Sequence, residues 1–224
     1  MQRVPSSFPA DNGMQGTFIV IEGFDGVGKS TLARRLANRL RNEGHEVLEV
    51  REPGGTPVAE AARAVVLDPR LDAAIEAELF LILAARADLV KRVIVPALQD
   101  GVVVISDRFD LSTEAYQVAG RQLPSEAVMS ANALATGGLT PHLTLVLDTP
   151  VDVAVARRAR KGDAPDRIER VNEEVQSRIA AAFREASSPG VIHIDATGSV
   201  DEVETAAWDV VQTTVSGTSR VSTS

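Results

Sequence analysis

The sequence predicts an α/β domain in three layers, a five-stranded parallel sheet with helices on both faces. Five short apolar runs recur along the chain, segments of helical period separate them, and a glycine-rich turn joins the first run to the first helix. Strands that alternate with helices need crossover connections, which are right-handed and cover a parallel sheet on both sides.

In order, the runs are TFIVIE at 17–22, EVLEV at 46–50, VVVIS at 102–106, LTLVLD at 143–148 and VIHID at 191–195. Continuous apolar runs of this length, bounded by turn residues, read as strands mostly buried on both faces. Helix formers in helical period fill 29–43, 57–67, 72–100, 112–118, 125–136, 151–160, 166–186 and 200–215. Residues 1–15 carry one Arg and no continuous apolar stretch, so they read as a disordered leader rather than a signal peptide or anchor. The closing VSGTSRVSTS reads as a frayed tail over 216–224, which leaves one domain over 16–215.

Composition narrows the function. The 224 residues carry a formal net charge of −8, so no global basic field attracts nucleic acid or an anionic membrane, and any anionic ligand must be held by local positive groups. Cysteine is absent, which excludes disulfides, thiolate metal sites and cysteine nucleophiles. No run approaches the roughly 20 apolar residues of a membrane span. The expectation is a soluble, cytoplasmic protein.

In an open parallel sheet, ligands bind beyond the C-terminal ends of the strands. The first such loop, Gly23-Phe24-Asp25-Gly26-Val27-Gly28-Lys29-Ser30 followed by Thr31, matches G-x-x-x-x-G-K-[ST] in the strand–loop–helix setting that the motif requires. Its glycines let backbone N–H groups turn toward phosphate oxygens, and the helix N-terminus adds partial positive charge. Lys29 is placed to reach the β- and γ-phosphates and Ser30 to ligate Mg²⁺. The loop specifies a nucleoside triphosphate and is silent about the reaction.

Other strand ends suggest the reaction class. VVVIS leads into Asp107-Arg108, where the carboxylate can hold Mg²⁺ through water and the Arg can bind a second phosphate. REPGGT after the second run offers Arg51; taken alone it is a turn. The stretch ARRARKGDAPDRIER, at 156–170, gathers arginines around a Gly/Pro turn. Alone it is a solvated basic helix end, but beside a phosphate loop on an acidic protein it suits a flap that neutralises transferring charge and keeps water out. A guanine-dependent switch would need N-K-x-D after a later strand, and the sequence has none.

Together, EGFDGVGKST, REPGGT, ELFLILAAR, VVVISDRFDLSTEAYQ, LTLVLD and DRIE resemble the thymidylate kinases in order and spacing, over about residues 16–186. The resemblance implies the phosphate-loop nucleoside monophosphate kinase fold with a lid at about 157–167, a homodimer, ATP as donor, Mg²⁺, and conversion of dTMP to dTDP. It implies that Asp25 meets the acceptor and the metal, that Arg51 and Arg108 grip the acceptor phosphate, that Arg86 reads the base edge, and that Thr113 and Tyr116 border base and sugar. Because Val27 stands where some members carry an arginine, the resemblance is to the bacterial type, in which lid arginines supply that charge; here Arg158 and Arg160 are the candidates.

Helical spacing adds to this independently. Leu79, Ile82 and Arg86 share one face of their helix, as do Thr113, Tyr116 and Gln117 of theirs, while Phe80 points away from the first stripe. The acceptor set is therefore Asp25, Arg51, Ile82, Arg86, Arg108, Thr113, Tyr116 and Gln117. Two departures stand out: the family's usual Phe, which stacks on thymine, is Ile82, and a usual Asp is His142, read as a loop residue without catalytic weight. Two further readings remain, a kinase of shifted or broadened base preference and a nucleotide-binding regulator without turnover.

Overall fold

A computed structural model describes residues 14–161, 167–168 and 172–221. The elements are β1 (Phe18–Glu22), α1 (Lys29–Asn42), β2 (Val47–Arg51), α2 (Pro57–Leu67), α3 (Ile75–Leu89), α4 (Val95–Gln99), β3 (Val103–Asp107), α5 (Asp110–Thr113), α6 (Ser125–Thr136), β4 (Leu143–Asp148), α7 (Val151–Lys161), α8 (Glu173–Glu185), β5 (Val191–Asp195) and α9 (Val200–Val221). The five strands form one parallel sheet in the order β2-β3-β1-β4-β5.

β1 lies at the centre and every one of its residues is buried, so its alternating side chains feed two cores. Ile19 and Ile21 pack with Leu32, Leu36 and Leu40 of α1, and Phe18 and Val20 with Leu89, Ile94 and Leu98. Phe18 meets Phe109 edge-to-face at 5.0 Å, a favoured aromatic geometry. The edge strands β2 and β5 are only partly buried, where burial on both faces was expected; each has a neighbour on one side alone.

Helix boundaries depart from the expected ones at four places. The helix expected over 72–100 begins at Ile75, and a π-helical turn at Val90–Ile94 separates α3 from α4. Pro96 has no N–H and its ring would crowd the carbonyl four residues back, so the wider turn accommodates it. The segment expected over 112–118 is α5 followed by a π-helical stretch, Glu114–Gly120, beside the ligand end of the sheet. The helix expected from 166 begins at Glu173, because Asn172 caps it by accepting from the Val175 N–H at 2.9 Å. α9 continues to Val221, into the segment read as a tail.

Residues 1–13 of the expected leader, and 162–166 within the expected lid, lie outside the described residues. Gln15 and Gly16 both donate to the Leu98 carbonyl, and Met14 packs on the second core, so the end of the segment read as leader is docked. Among the described residues no helix is long and apolar enough to cross a membrane.

His142 has a structural role that its loop position concealed. Its Nδ1 accepts from the Phe18 N–H at 2.9 Å while its backbone N–H donates to the Phe18 carbonyl at 2.8 Å, which ties the start of β1 to the entry of β4. Burial lowers the pKa of the ring, and only neutral imidazole can accept this bond. A folded pKa below that of the unfolded chain means stability that is full above about pH 6.5 and is lost as pH falls, because the unfolded state binds the extra proton. His142→Ala should cost about 1–3 kcal/mol, the cost of an orphaned buried donor, measured by denaturant unfolding. The variant should also lose less stability than the parent between pH 7 and pH 5.

Candidate active site

The C-terminal ends of β1, β2 and β3 open into a cavity of about 620 Å³. Its floor is the loop between β1 and α1. Gly23 and Gly26 hold φ of 133° and 87°; a Cβ on Gly23 would lie 2.8 Å from the Leu147 carbonyl and one on Gly26 2.3 Å from that of Ala154. Only glycine permits both this backbone and this closeness. Phe24 and Val27 turn their side chains into the core, so they shape the loop through backbone alone, whereas Asp25, Gly26, Gly28, Lys29, Ser30 and Thr31 line the cavity.

Lys29 is buried and folds back onto the loop, donating to the Gly23 and Phe24 carbonyls at 2.9 and 2.8 Å. Burial, together with the nearby Arg108, lowers its pKa to about 8, against the opposing pull of Asp25 and Asp107. An anion beside this amine would favour its charged form. Beside it the Ser30 hydroxyl donates to Asp107. This hydroxyl–carboxylate pair suits Mg²⁺, which takes oxygen ligands and keeps several waters. Among the described residues no group of three or more His, Cys, Asp or Glu could hold a metal by itself.

Arg108, next along from Asp107, is a non-glycine residue at φ 77°. The strain is held by three neighbouring bonds: its N–H donates to the Ile21 carbonyl, its carbonyl accepts from Ser106 Oγ at 2.7 Å, and the Phe109 N–H donates to Glu22 at 2.7 Å. The conformation aims the guanidinium at Asp25, at Ser112 Oγ (2.9 Å) and at the Tyr116 hydroxyl (3.3 Å). Tyr116 also donates to Asp25. Burial alone would raise the Asp25 pKa, but Arg108, Lys29 and Tyr116 outweigh it and hold the carboxyl below its ordinary value. Asp25 is thus an anion that orients cations, unsuited to collecting a proton.

The far end of the cavity is lined by Arg51, Ile82, Arg86, Thr113 and Gln117. Arg51 extends from the end of β2 and is half exposed, paired with Glu60 at 3.1 Å. Arg86, 1% exposed, donates from Nε to Glu52 at 2.7 Å, from Nη1 to Thr113 and Asn132, and from Nη2 to the Phe109 carbonyl. A guanidinium has five N–H groups, so the residue expected to read a base is chiefly a post joining α3 to α5, α6 and the turn after β2, with one N–H left for a ligand. Ile82, one turn before it, faces the cavity, and Phe80 points outward as its spacing predicts.

From α7, Arg158 reaches the cavity over Gly26, while Arg160 is exposed and off its wall. Sequence reasoning missed Glu22, Glu52, Arg63, Ser112 and Ile168. Ser112 stands four residues after Arg108 and on the face of Tyr116, a signal that could have found it; the others are brought in by contacts remote in sequence.

The thymidylate kinase family model matches residues 21–207. The chain is 42% identical to the thymidylate kinase of Deinococcus radiodurans over 200 residues, covering 88% of this chain and 97% of that one. It is 47% identical to that of Cereibacter sphaeroides over 205 residues (87% and 94%), and 41% identical to that of Neisseria gonorrhoeae over 193 residues (85% and 93%). With the phosphate loop, the strained Asp107-Arg108 turn and a second cationic end in one cavity, the chain belongs to the thymidylate kinase family.

Proposed function

We propose that the chain transfers the γ-phosphoryl group of ATP to dTMP, giving ADP and dTDP, with Mg²⁺ on the donor phosphates. The observation that carries this reading is one continuous cavity with a phosphate loop at one end and Arg51, Ile82, Arg86 and Gln117 at the other. Its volume of about 620 Å³ and the cations Lys29, Arg51, Arg86, Arg108 and Arg158 in its lining suit two anionic ligands.

The loop amides and Lys29 hold the donor's β- and γ-phosphates. Ser30 and Asp107 hold Mg²⁺, which neutralises donor charge when bound. Arg108 and Arg51 hold the acceptor phosphate. That phosphate is already an anion near pH 7 and is itself the nucleophile, so no side chain need remove a proton, in keeping with an Asp25 held ionised between Arg108 and Tyr116. Arg158 lies over the loop, where charge on the transferring group is shared. The regulator without turnover is the weaker reading, since Lys29, Asp107 and Arg108 all stand at the cavity.

The reading extends to a homodimer in the cytoplasm. Its support is Phe80 and Leu134, 62% and 77% exposed on the neighbouring helices α3 and α6, large apolar side chains that a second copy would cover.

Coupled ADP release with dTMP, dUMP, dCMP and dGMP tests the function: dTMP should be the preferred acceptor, and Lys29→Ala should retain less than a tenth of parental turnover. A different preferred acceptor overturns the substrate, and an active Lys29→Ala overturns the phosphate-loop role.

Arg158→Ala should lower kcat by ~10³, the scale of an arginine finger, with little change in dTMP affinity. Arg160→Ala, off the cavity wall, should lose less than tenfold; equal losses would place both arginines at the reaction.

Ile82 offers apolar contact without a ring. Stacking on a base is worth about 1–3 kcal/mol, of which Ile supplies part. Ile82→Phe should tighten dTMP binding roughly three- to tenfold, or ~0.6–1.4 kcal/mol, with ATP affinity unchanged, by calorimetric titration. Weaker binding in a variant of parental stability would move the base away from residue 82.

A further inference from the structure

We infer that Glu78, which lies outside the cavity wall, is a positioning residue for base specificity: it fixes the amide of Gln117 so that the site accepts a pyrimidine carrying N–H at position 3 and rejects cytosine. The inference rests on the dTMP reading above and goes beyond it in assigning the discrimination to a residue without contact with the ligand.

Two short ladders face each other across the acceptor end. Glu78, Ile82 and Arg86 recur every four residues along α3, and Thr113 and Gln117 stand four apart on the opposing stretch. The rungs are Arg86 Nη1 to Thr113 Oγ1 at 2.7 Å and Gln117 Nε2 to Glu78 Oε1 at 3.0 Å. Ile82 sits between the rungs and faces the cavity, as do Thr113 and Gln117.

Glu78 and Gln117 are each 1% exposed. Glu78 Oε1 accepts from Gln117 and from Arg121 Nε (3.3 Å), and Oε2 accepts from Arg121 Nη2 (3.1 Å) and Arg167 Nη1 (3.0 Å). Each oxygen therefore receives two donors, and the group acts only as an acceptor. An amide beside an obligate acceptor must turn its NH₂ toward it, because the opposite orientation sets two oxygens against each other. The amide carbonyl oxygen is then the atom that Gln117 offers to the cavity.

A carbonyl oxygen accepts from the N3–H of thymine or uracil. Cytosine presents a bare N3, itself an acceptor, and meets the oxygen with repulsion. A site built to bond one polar group rejects an analogue without it strongly, since its own buried group is left unpaired. Were the amide free to rotate, its NH₂ would serve cytosine equally well, and Glu78 removes that option. Arg121 and Arg167, which share the carboxylate, keep both of its oxygens committed as acceptors.

The test compares kcat/KM for dTMP, dUMP and dCMP in the parent and in Glu78→Gln, whose side chain can donate to or accept from Gln117. Ratios between acceptors measured on one preparation do not depend on the fraction of folded enzyme. In the parent, dTMP should exceed dCMP by more than tenfold; if it does not, the dTMP reading itself fails. With that preference in place, Glu78→Gln should lower the dTMP-to-dCMP ratio at least tenfold and leave the dTMP-to-dUMP ratio within threefold, since both of those bases carry N3–H. A smaller fall, or a matching fall in the dTMP-to-dUMP ratio, overturns the inference. Should Glu78→Gln fail to fold, Gln117→Leu, which removes the acceptor oxygen and keeps Glu78, must give the same pattern on the same three acceptors; an unchanged dTMP-to-dCMP ratio there overturns it equally.

Discussion

The ligand end of the sheet depends on one buried carboxylate. Glu22 closes the central strand, has no exposure, and accepts from the Phe109 N–H, the Ser112 N–H and the Ser112 hydroxyl at 2.7, 3.0 and 2.6 Å. Burial raises its pKa to about 7 despite Arg108 and these donors. A group that costly to bury persists where it satisfies what nothing else reaches. Here those are the backbone groups at the exit of β3, and through them Glu22 sets the left-handed turn at Arg108. From that turn follow the orientation of Arg108 toward Asp25 and Tyr116, the start of α5, and the line that carries Thr113 and Gln117 to the cavity.

A second layer of buried charge follows the same logic on the acceptor side. A chain of net charge −8 places Lys29, Arg86 and Arg108 together at low exposure, and each is matched by an acid from another element: Asp25 for Lys29 and Arg108, Glu52 for Arg86. Buried pairs add little net stability, but removing one partner leaves an uncompensated charge, so the cations are held in place without the ligand. Glu52 Oε1 is left buried without a hydrogen-bond partner, and burial raises the pKa of that carboxyl. The arrangement is preorganised for anions.

The parts of this molecule legible in the sequence are those whose physics is local. β1, the glycine loop and α1 follow one another within a few turns of chain, so apolar run, glycine spacing and lysine were enough to place this loop at the cavity. The Asp107-Arg108 turn was legible because it ends a strand, and the stripe holding Ile82 and Arg86 because helical period is a short-range rule. What stayed hidden acts at long range. Glu22 reads as the last residue of a strand, Glu78 as one more acid on a helix, and His142 as a loop residue, until folding brings Ser112, Gln117 and Phe18 beside them. The same limit explains Arg86: its spacing put it on the ligand stripe, yet how many of its donors are already used depends on Glu52, Asn132 and Phe109, each from a different part of the chain.

The helix α7 shows how a choice between two similar residues is made far from either. Arg158 and Arg160 are two positions apart, about 200° around a helix, so a single rotation of α7 cannot aim both at the phosphate loop. Two contacts fix that rotation. Gly26 of the loop approaches the Ala154 carbonyl so closely that a Cβ would stand 2.3 Å from it, which seats the first turn of α7 on the loop. Three residues on, Arg157 donates to the Ala196 carbonyl at 2.7 Å and the Thr197 carbonyl at 3.1 Å, just beyond β5, and anchors the flank of the helix next to Ala154. With Ala154 against the loop, the residue four positions later falls on the same face, and that residue is Arg158. The loop glycine whose place no Cβ could fill thus also admits the helix that brings Arg158 over the loop.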